Sequence, residues 1–328
     1  MRMDRVIAIA VMLGAVFAAP VRDAAAQKLS DRPITIIVPY SPGTGPDILA
    51  RLIGEEIQQR WGQPVAIDNK PGATGNIGTQ LAARAAPDGH TLLMTTNPIT
   101  ANISLLKNIP YDPVKSFAPV IFVGTGSLAL AIHPSVPVNS LQELLDYVRA
   151  RPGQINFGSP GVGGPHHLAM ELLKLTTNTS MNHIPYRGSA GATNDLVGGH
   201  VSRAFQSIHV IMPLVQTNQV RLLAIASKER SPVAPDLPTL QELGLSGFEV
   251  DLWFGVLAPA GTPQDIVDRY NATINDILRA PQVVEKLAKQ GLRTGGGTPE
   301  RFRDFIASDI VKWQKVVTEA GIVVDASR

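Results

Sequence analysis

Apolar positions along this chain follow two alternating rhythms. Short β-branched runs at Ile34 to Val38, Val65 to Asp68 and Thr91 to Thr95 are separated by stretches with helical spacing, Ile48 to Trp61 and Asn76 to Ala86. Strands alternating with helices predict a mostly parallel sheet flanked by helices. A longer apolar run, Val120 to Ile132, precedes a helix over Ser140 to Ala150. There Ser140 and Glu143 have capping-box spacing, and Pro152-Gly153 stops the helix. The alternation then resumes, with strands at Asn156-Phe157, Met181 to Ile184 and Arg203 to Gln206 and helices at His166 to Leu175 and Ser189 to Val197. This is a second α/β unit.

Beyond Val220 to Ala226 and the Pro-rich link SPVAPDLPTL, another apolar strand at Phe248 to Ala258 returns the chain to the first unit. Thr262-Pro263 and Thr298-Pro299 are pairs of an N-cap and a first-position proline. They open helices that end near Arg279 and Ala320 and cover the first sheet. The reading is a two-lobed α/β fold with a mostly parallel sheet in each lobe. Residues 27–124 with 253–328 form lobe 1, residues 125–252 form lobe 2, and the runs at Val120 to Ile132 and Phe248 to Ala258 act as hinge strands. Two lobes joined in this way can close on a ligand.

The chemistry gathers where strand runs give way to helices. VPYSPGTGPD, Val38 to Asp47, joins the first strand to the first helix, and NFGSPGVGGPHHLAMELL repeats the arrangement from Asn156. The first turn of a helix has N–H groups without intrahelical partners and carries partial positive charge, so it suits an anion. Gly43 and Gly45 permit positive φ and close approach, Pro46 suits the first turn, and Asp47 or Ser41 can cap the helix. Either loop alone reads equally well as a tight turn that starts a helix. Two of them on facing lobes make a cleft with an anion cradle on each side.

The ends and the composition narrow the class. Arg2 and Arg5, an apolar run from Val6 to Ala19, and Ala24-Ala25-Ala26 read as a secretory signal peptide, residues 1–26, cleaved after Ala26. The run is shorter than the roughly 20 residues that span a bilayer, and no later stretch reaches that length. There is no Cys, which excludes disulfides and lipid attachment to an N-terminal Cys. A periplasmic protein without membrane insertion is expected. The formal charge of +2 and the absence of a basic stripe exclude a nucleic-acid partner. No G-x-S-x-G elbow, Walker A motif or complete G-x-G-x-x-G occurs, so an enzyme is not expected and no cofactor is called for. Adjacent His166 and His167 point in different directions on a helix and lack further ligands, so no metal site is expected.

Six ordered segments carry a resemblance over nearly all of the mature chain. They are RPITIIVPYSPGTGPDILAR, NKPGATGNIG, AAPDGHTLL, YDPVKSFAPV, IPYRGSAGATNDLVGGHV and WFGVLAPAGTP. The chain resembles the solute-binding proteins of tripartite tricarboxylate transporters, also called the Bordetella uptake gene family. The resemblance implies a Venus flytrap of two α/β lobes that delivers a small carboxylate to membrane permease subunits. It implies ligand contacts at Tyr40, Ser41, Pro42, Gly43, Thr44 and Asp47, with a second wall at Thr95, Thr96 and Asn97. In lobe 2 it implies Ser159, Gly161, Val162, Gly163 and His166, then Tyr186, Arg187 and the rest of the loop to Ser189, and Gln206 with Ser207. A monomer is expected.

The chain departs from many relatives at Gly43-Thr44, where they carry Gly-Gly. It departs again at Gly163-Gly164-Pro165, where they carry Ser, and at Gln206, where they carry an acidic residue. The distal pocket is therefore less polar, and a neutral Gln206 weakens any preference for ammonium groups. A dicarboxylate, aromatic or aliphatic, fits best. Arg187 reads as a carboxylate partner or a solvated loop charge, Trp253 as the cleft floor or core, and Asp47 as a helix cap. Two further readings are an exported hydrolase using His166 and Ser159 and a sensor that presents its ligand to a signalling receptor.

Overall fold

A computed structural model describes residues 29–106, 108–319 and 321–322; the proposed signal peptide lies outside the described residues. The elements follow one another as β1 (Ile34–Val38), α1 (Gly45–Trp61), β2 (Val65–Asn69), α2 (Asn76–Ala83), β3 (Thr91–Thr96) and α3 (Pro98–Leu105). Next come β4 (Phe117–Ile132), α4 (Leu141–Arg149), β5 (Asn156–Ser159), α5 (Pro165–Thr177), β6 (Asn182–Pro185), α6 (Ser189–Val197), β7 (Arg203–Ser207), α7 (Ile208–Gln216) and β8 (Arg221–Ile225). The chain ends with β9 (Asp251–Pro259), α8 (Gln264–Arg279), α9 (Pro281–Ala288), β10 (Leu292–Thr294) and α10 (Pro299–Glu319).

The strands run in the order β2-β1-β3-β9-β4-β7-β5-β6, with β10 and β8 also paired to β4. Parallel pairing holds for the outer strands of each lobe, β1 with β2 and β3, and β5 with β6 and β7. The crossing strands are different: β9 runs antiparallel to β3 and β4, and β4 antiparallel to β7, β8 and β10. A strand that leaves one sheet and enters the next reverses its sense relative to neighbours formed by right-handed crossovers, so mixed sheets result.

β4 is the physical link between the lobes. Residues Phe117 to Ser127 pair with β9, and Leu128 to Ile132 pair with β7 and β8. The second crossing lies just before β9, where Val250 donates its N–H to the Ala226 carbonyl and Ala226 donates to Leu128. β9 thus begins at Asp251, three residues later than the run at Phe248 predicts, because Phe248 to Val250 form the crossing itself. β4 is apolar on both faces and almost wholly buried, as a strand covered on both sides must be.

Three helices, α3, α7 and α9, were not predicted from the sequence. α3 is buried nearly all round and α7 carries Pro213 in its interior, whereas α9 follows α8 directly at Pro281. α4 matches its predicted cap: Glu143 donates its N–H to Ser140 Oγ at 3.2 Å, while its carboxylate accepts from Asn139 N. α8 differs, since Pro263 is its capping residue and the Thr262 hydroxyl donates to the Pro259 carbonyl instead. Among the described residues no helix is long and apolar enough to cross a membrane.

Candidate functional site

The two cradles have the same construction. Gly43 has φ +81° and Gly163 φ +76°, left-handed values that favour glycine. Each donates its N–H to the side chain four residues on: Gly43 to Asp47 Oδ2 at 2.9 Å, and Gly163 to His167 Nδ1 at 3.1 Å. The residues that follow, Thr44 and Gly164, are extended capping residues without a side-chain cap bond. Asp47 therefore braces the loop rather than capping α1, and His167 has a structural role. Its acceptance at Nδ1 leaves Nε2 to face Glu171 Oε1 at 3.5 Å.

Bracing leaves the helix starts open. Among the described residues, the N–H groups of Gly45 and Asp47 in α1 and of His166 and His167 in α5 find no backbone acceptor. Burial pushes the Asp47 carboxyl up, but hydrogen bonds from Arg51, Gly43 and Asn69 outweigh it and hold the group below its ordinary value. The Asp47 charge is also paired with Arg51 at 2.9 Å. The cradle accordingly stays receptive to an anion despite its own carboxylate.

Two bridges bring the cradles together. In lobe 1, the Tyr40 ring packs against Gly75, and the neighbouring Thr74 hydroxyl donates to the Val162 carbonyl at 3.2 Å across the cleft. On the other side, His209 Cε1 stands 3.6 Å from the place a Cβ on Gly45 would occupy. His209 is the second residue of α7, and Ser207, which precedes that helix, shares a hydrogen bond of 3.1 Å with His166 Nε2. The starts of α1, α5 and α7 therefore converge at one cleft, at the C-terminal ends of β1, β5 and β7, where ligands bind in open α/β sheets.

The remaining predicted residues divide by what already occupies them. Ser41 and Pro42 are exposed, and the Ser41 carbonyl accepts from the Thr44 hydroxyl. Thr95 is buried beside the Tyr40 hydroxyl, and both polar atoms of Gln206 are buried with no hydrogen-bond partner among the described residues. Thr96 and Asn97 serve the hinge. Thr96 donates to Asn97 Oδ1, which also accepts the Trp253 N–H, and Asn97 Nδ2 donates to the Asp251 carbonyl. Gly161 donates its N–H to Ser159 Oγ and lies near Thr74. The Tyr186 hydroxyl donates to Asp195 at 2.5 Å, an arrangement that raises the phenol to about 12 with burial the main cause. Arg187 is exposed and forms no ion pair among the described residues.

One open reading is decided here and another corrected. Of the two readings of Trp253, core holds: it is buried, its indole N–H donates to Asp309 Oδ2 at 2.8 Å, and it packs edge-on against Phe302 and Phe305. The hydrolase pair does not form. Ser159 Oγ meets His183 Nε2 at 2.6 Å and donates to the Gly161 carbonyl, whereas His166 belongs to Ser207. Ser159 is fully buried beneath the loop, so its hydroxyl fixes backbone rather than meeting a substrate. Burial, reinforced by His209, lowers His166 to about 3, and burial with His167 alongside lowers His183 to about 3. Both rings are neutral.

The sequence reading missed His209, which burial lowers to about 4 and whose Nδ1 has no partner. Nothing local marks it; only its approach to Gly45 from the other lobe does. Among the described residues no group of three or more His, Cys, Asp or Glu is placed to hold a metal.

A two-lobed α/β fold with facing helix starts defines a solute-binding protein of the periplasmic-binding-protein kind. The tripartite tricarboxylate transporter family receptor pattern matches residues 49–322, and the chain belongs to that family. It is 39% identical to Protein BugT of Bordetella pertussis over 88% of this chain and 90% of that protein. It is 38% identical to a protein of the tcbD-tcbE intergenic region of a Pseudomonas strain, over 94% of this chain and 93% of that one. An R. palustris protein solved with adipate superposes with a TM-score of 0.85 at 35% identity, covering 89% of this chain and 98% of that one. MatC of Rhodopseudomonas palustris with bound malate superposes with a TM-score of 0.80 at 32% identity, covering 87% and 99%. The chain is a receptor for small solutes and not an enzyme.

Proposed function

We propose that this protein captures a small dicarboxylate between its lobes in the periplasm and presents it to the membrane subunits of a tripartite tricarboxylate transporter. Residues 1–26 direct export, residues 27–124 with 253–328 form one jaw, and residues 125–252 form the other. One carboxylate sits on the open N–H groups of Gly45 and Asp47, and the other end reaches the α5 and α7 side of the cleft.

One observation carries the reading: facing helix starts whose N–H groups have no backbone acceptor among the described residues, beside an Asp47 carboxylate already paired with Arg51. Such groups complement a negative charge without any net charge on the protein. The adipate and malate held by the two R. palustris neighbours are of the same chemical class. Titration calorimetry with linear dicarboxylates of four to eight carbons, malate, aromatic dicarboxylates, sugars and amines tests it. Saturable binding of a dicarboxylate is expected, and binding of sugars or amines alone overturns it.

A further inference from the structure

The lobe-2 side of the cleft holds more unpartnered polar atoms than a packed interior tolerates. Gln206 is fully buried, yet neither its amide oxygen nor its nitrogen has a partner, and three residues on His209 Nδ1 is buried and equally unpartnered. Buried groups of this kind are nearly always satisfied, so together they mark the place a ligand end completes. His209 is the member of this set that can change charge.

We propose that His209 is a specificity-determining residue of this site: it receives the second carboxylate of a dicarboxylate and takes up a proton as it does so. The inference rests on the carboxylate reading above. It goes further, by fixing which side chain meets the far end and in what protonation state. In the free protein burial keeps the ring neutral, at about 4. A carboxylate at hydrogen-bond distance in a desolvated cleft favours the imidazolium, and the proton comes from solvent.

The surroundings leave His209 as the acceptor of that proton. The facing ionisable group from α5 is His166, neutral and joined to Ser207. α1 contributes Gly45 and its dipole, with Asp47 already paired to Arg51. β4, against which α7 packs, has no ionisable side chain between Phe117 and Ile132, and Arg203 of β7 lies at the end of that strand remote from α7. Among these groups of the described residues only a protonated His209 supplies a positive charge, and Arg187, on the loop between β6 and α6, is exposed.

The test is titration calorimetry at pH 6 in two buffers of different ionisation heat, using the tightest-binding linear dicarboxylate of four to eight carbons and the monocarboxylate of equal length. Wild type should take up close to one proton per dicarboxylate and none with the monocarboxylate. His209→Asn should abolish the uptake and bind the dicarboxylate at least tenfold more weakly, with the monocarboxylate little changed. Histidine ring NMR of the wild-type protein, with His209→Gln for assignment, should show one ring becoming cationic on binding. Dicarboxylate binding without proton uptake, or uptake that persists in both variants, overturns this proposal and leaves the carboxylate reading intact. If no carboxylate of the series binds, the carboxylate reading fails and this proposal fails with it.

Discussion

The hydroxyl of Thr74 donates to the carbonyl of Val162 at 3.2 Å, joining a loop of lobe 1 to the second cradle of lobe 2. Thr74 and its neighbour Ala73 both have positive φ, at 52° and 46°, a conformation that costs energy for residues with a Cβ. A strained turn at the point where the jaws meet is held by the closed form. Thr74→Val removes the hydroxyl and keeps the shape. Ligand affinity should fall by about fivefold, the worth of about 1 kcal/mol for one hydrogen bond, mainly through faster release. Stopped-flow dissociation would measure it.

Gly163 offers a way to block closure. A Cβ there would lie 2.3 Å from Leu105 Cδ1, on α3 of the opposite lobe. Gly163→Ala should bind ligand at least tenfold more weakly while losing only about 1 kcal/mol of stability, the cost of a left-handed alanine. Small-angle scattering should show the variant failing to contract on adding ligand.

Asp47 holds Gly43, Asn69 and Arg51 at once. Asp47→Ala leaves the Gly43 N–H and the Asn69 amide without their acceptor, and the fold should lose about 2–4 kcal/mol, measurable by denaturant unfolding. Binding should weaken as well, because the loop that presents Gly45 is no longer braced.

Acid should destabilise the ligand-free protein well above the carboxylate range. His166, His183 and His209 are buried neutral, at about 3, 3 and 4, whereas in the unfolded chain they titrate near the ordinary histidine value of 6.5. Below 6.5 the unfolded chain binds more protons, so stability is complete above that pH and declines as pH falls toward 4. The slope is up to about 1.4 kcal/mol per pH unit for each ring. Asp47, held below its ordinary value, adds a further loss only as pH falls below 3.8. Thermal unfolding from pH 8 to 4 should show a midpoint that drops from about 6.5. His183→Phe, which keeps the stack with Phe157 and His167, should reduce the slope.

The sequence reveals those elements whose signals are local. β1 was predicted over Ile34 to Val38 and α6 over Ser189 to Val197, the bounds the structure has. Both loops were legible as strand-to-helix turns because glycine and proline there restrict the backbone by themselves. Asp47 was read as a cap, since its spacing from the helix start is visible and its reach back to Gly43 is not. α3 and α7 escaped because burial on all sides, or an internal Pro213, erases the two-faced pattern that marks a helix. His209 escaped for another reason: its meaning comes from Gly45, which the fold alone brings near.

β4 contributes hydrogen-bonding edges to both sheets, and the register around it shifts near Pro119, Phe122 and Leu130. Neither half of the molecule owns that strand. Splitting the polypeptide between the halves would leave one of them with an unpaired ribbon, so the pair should melt in a single step and neither fragment should be recoverable alone. A machine that must bend at its middle has thus been made inseparable there, and the freedom to swing comes from rotation within β4 and the Phe248–Val250 crossing beside it.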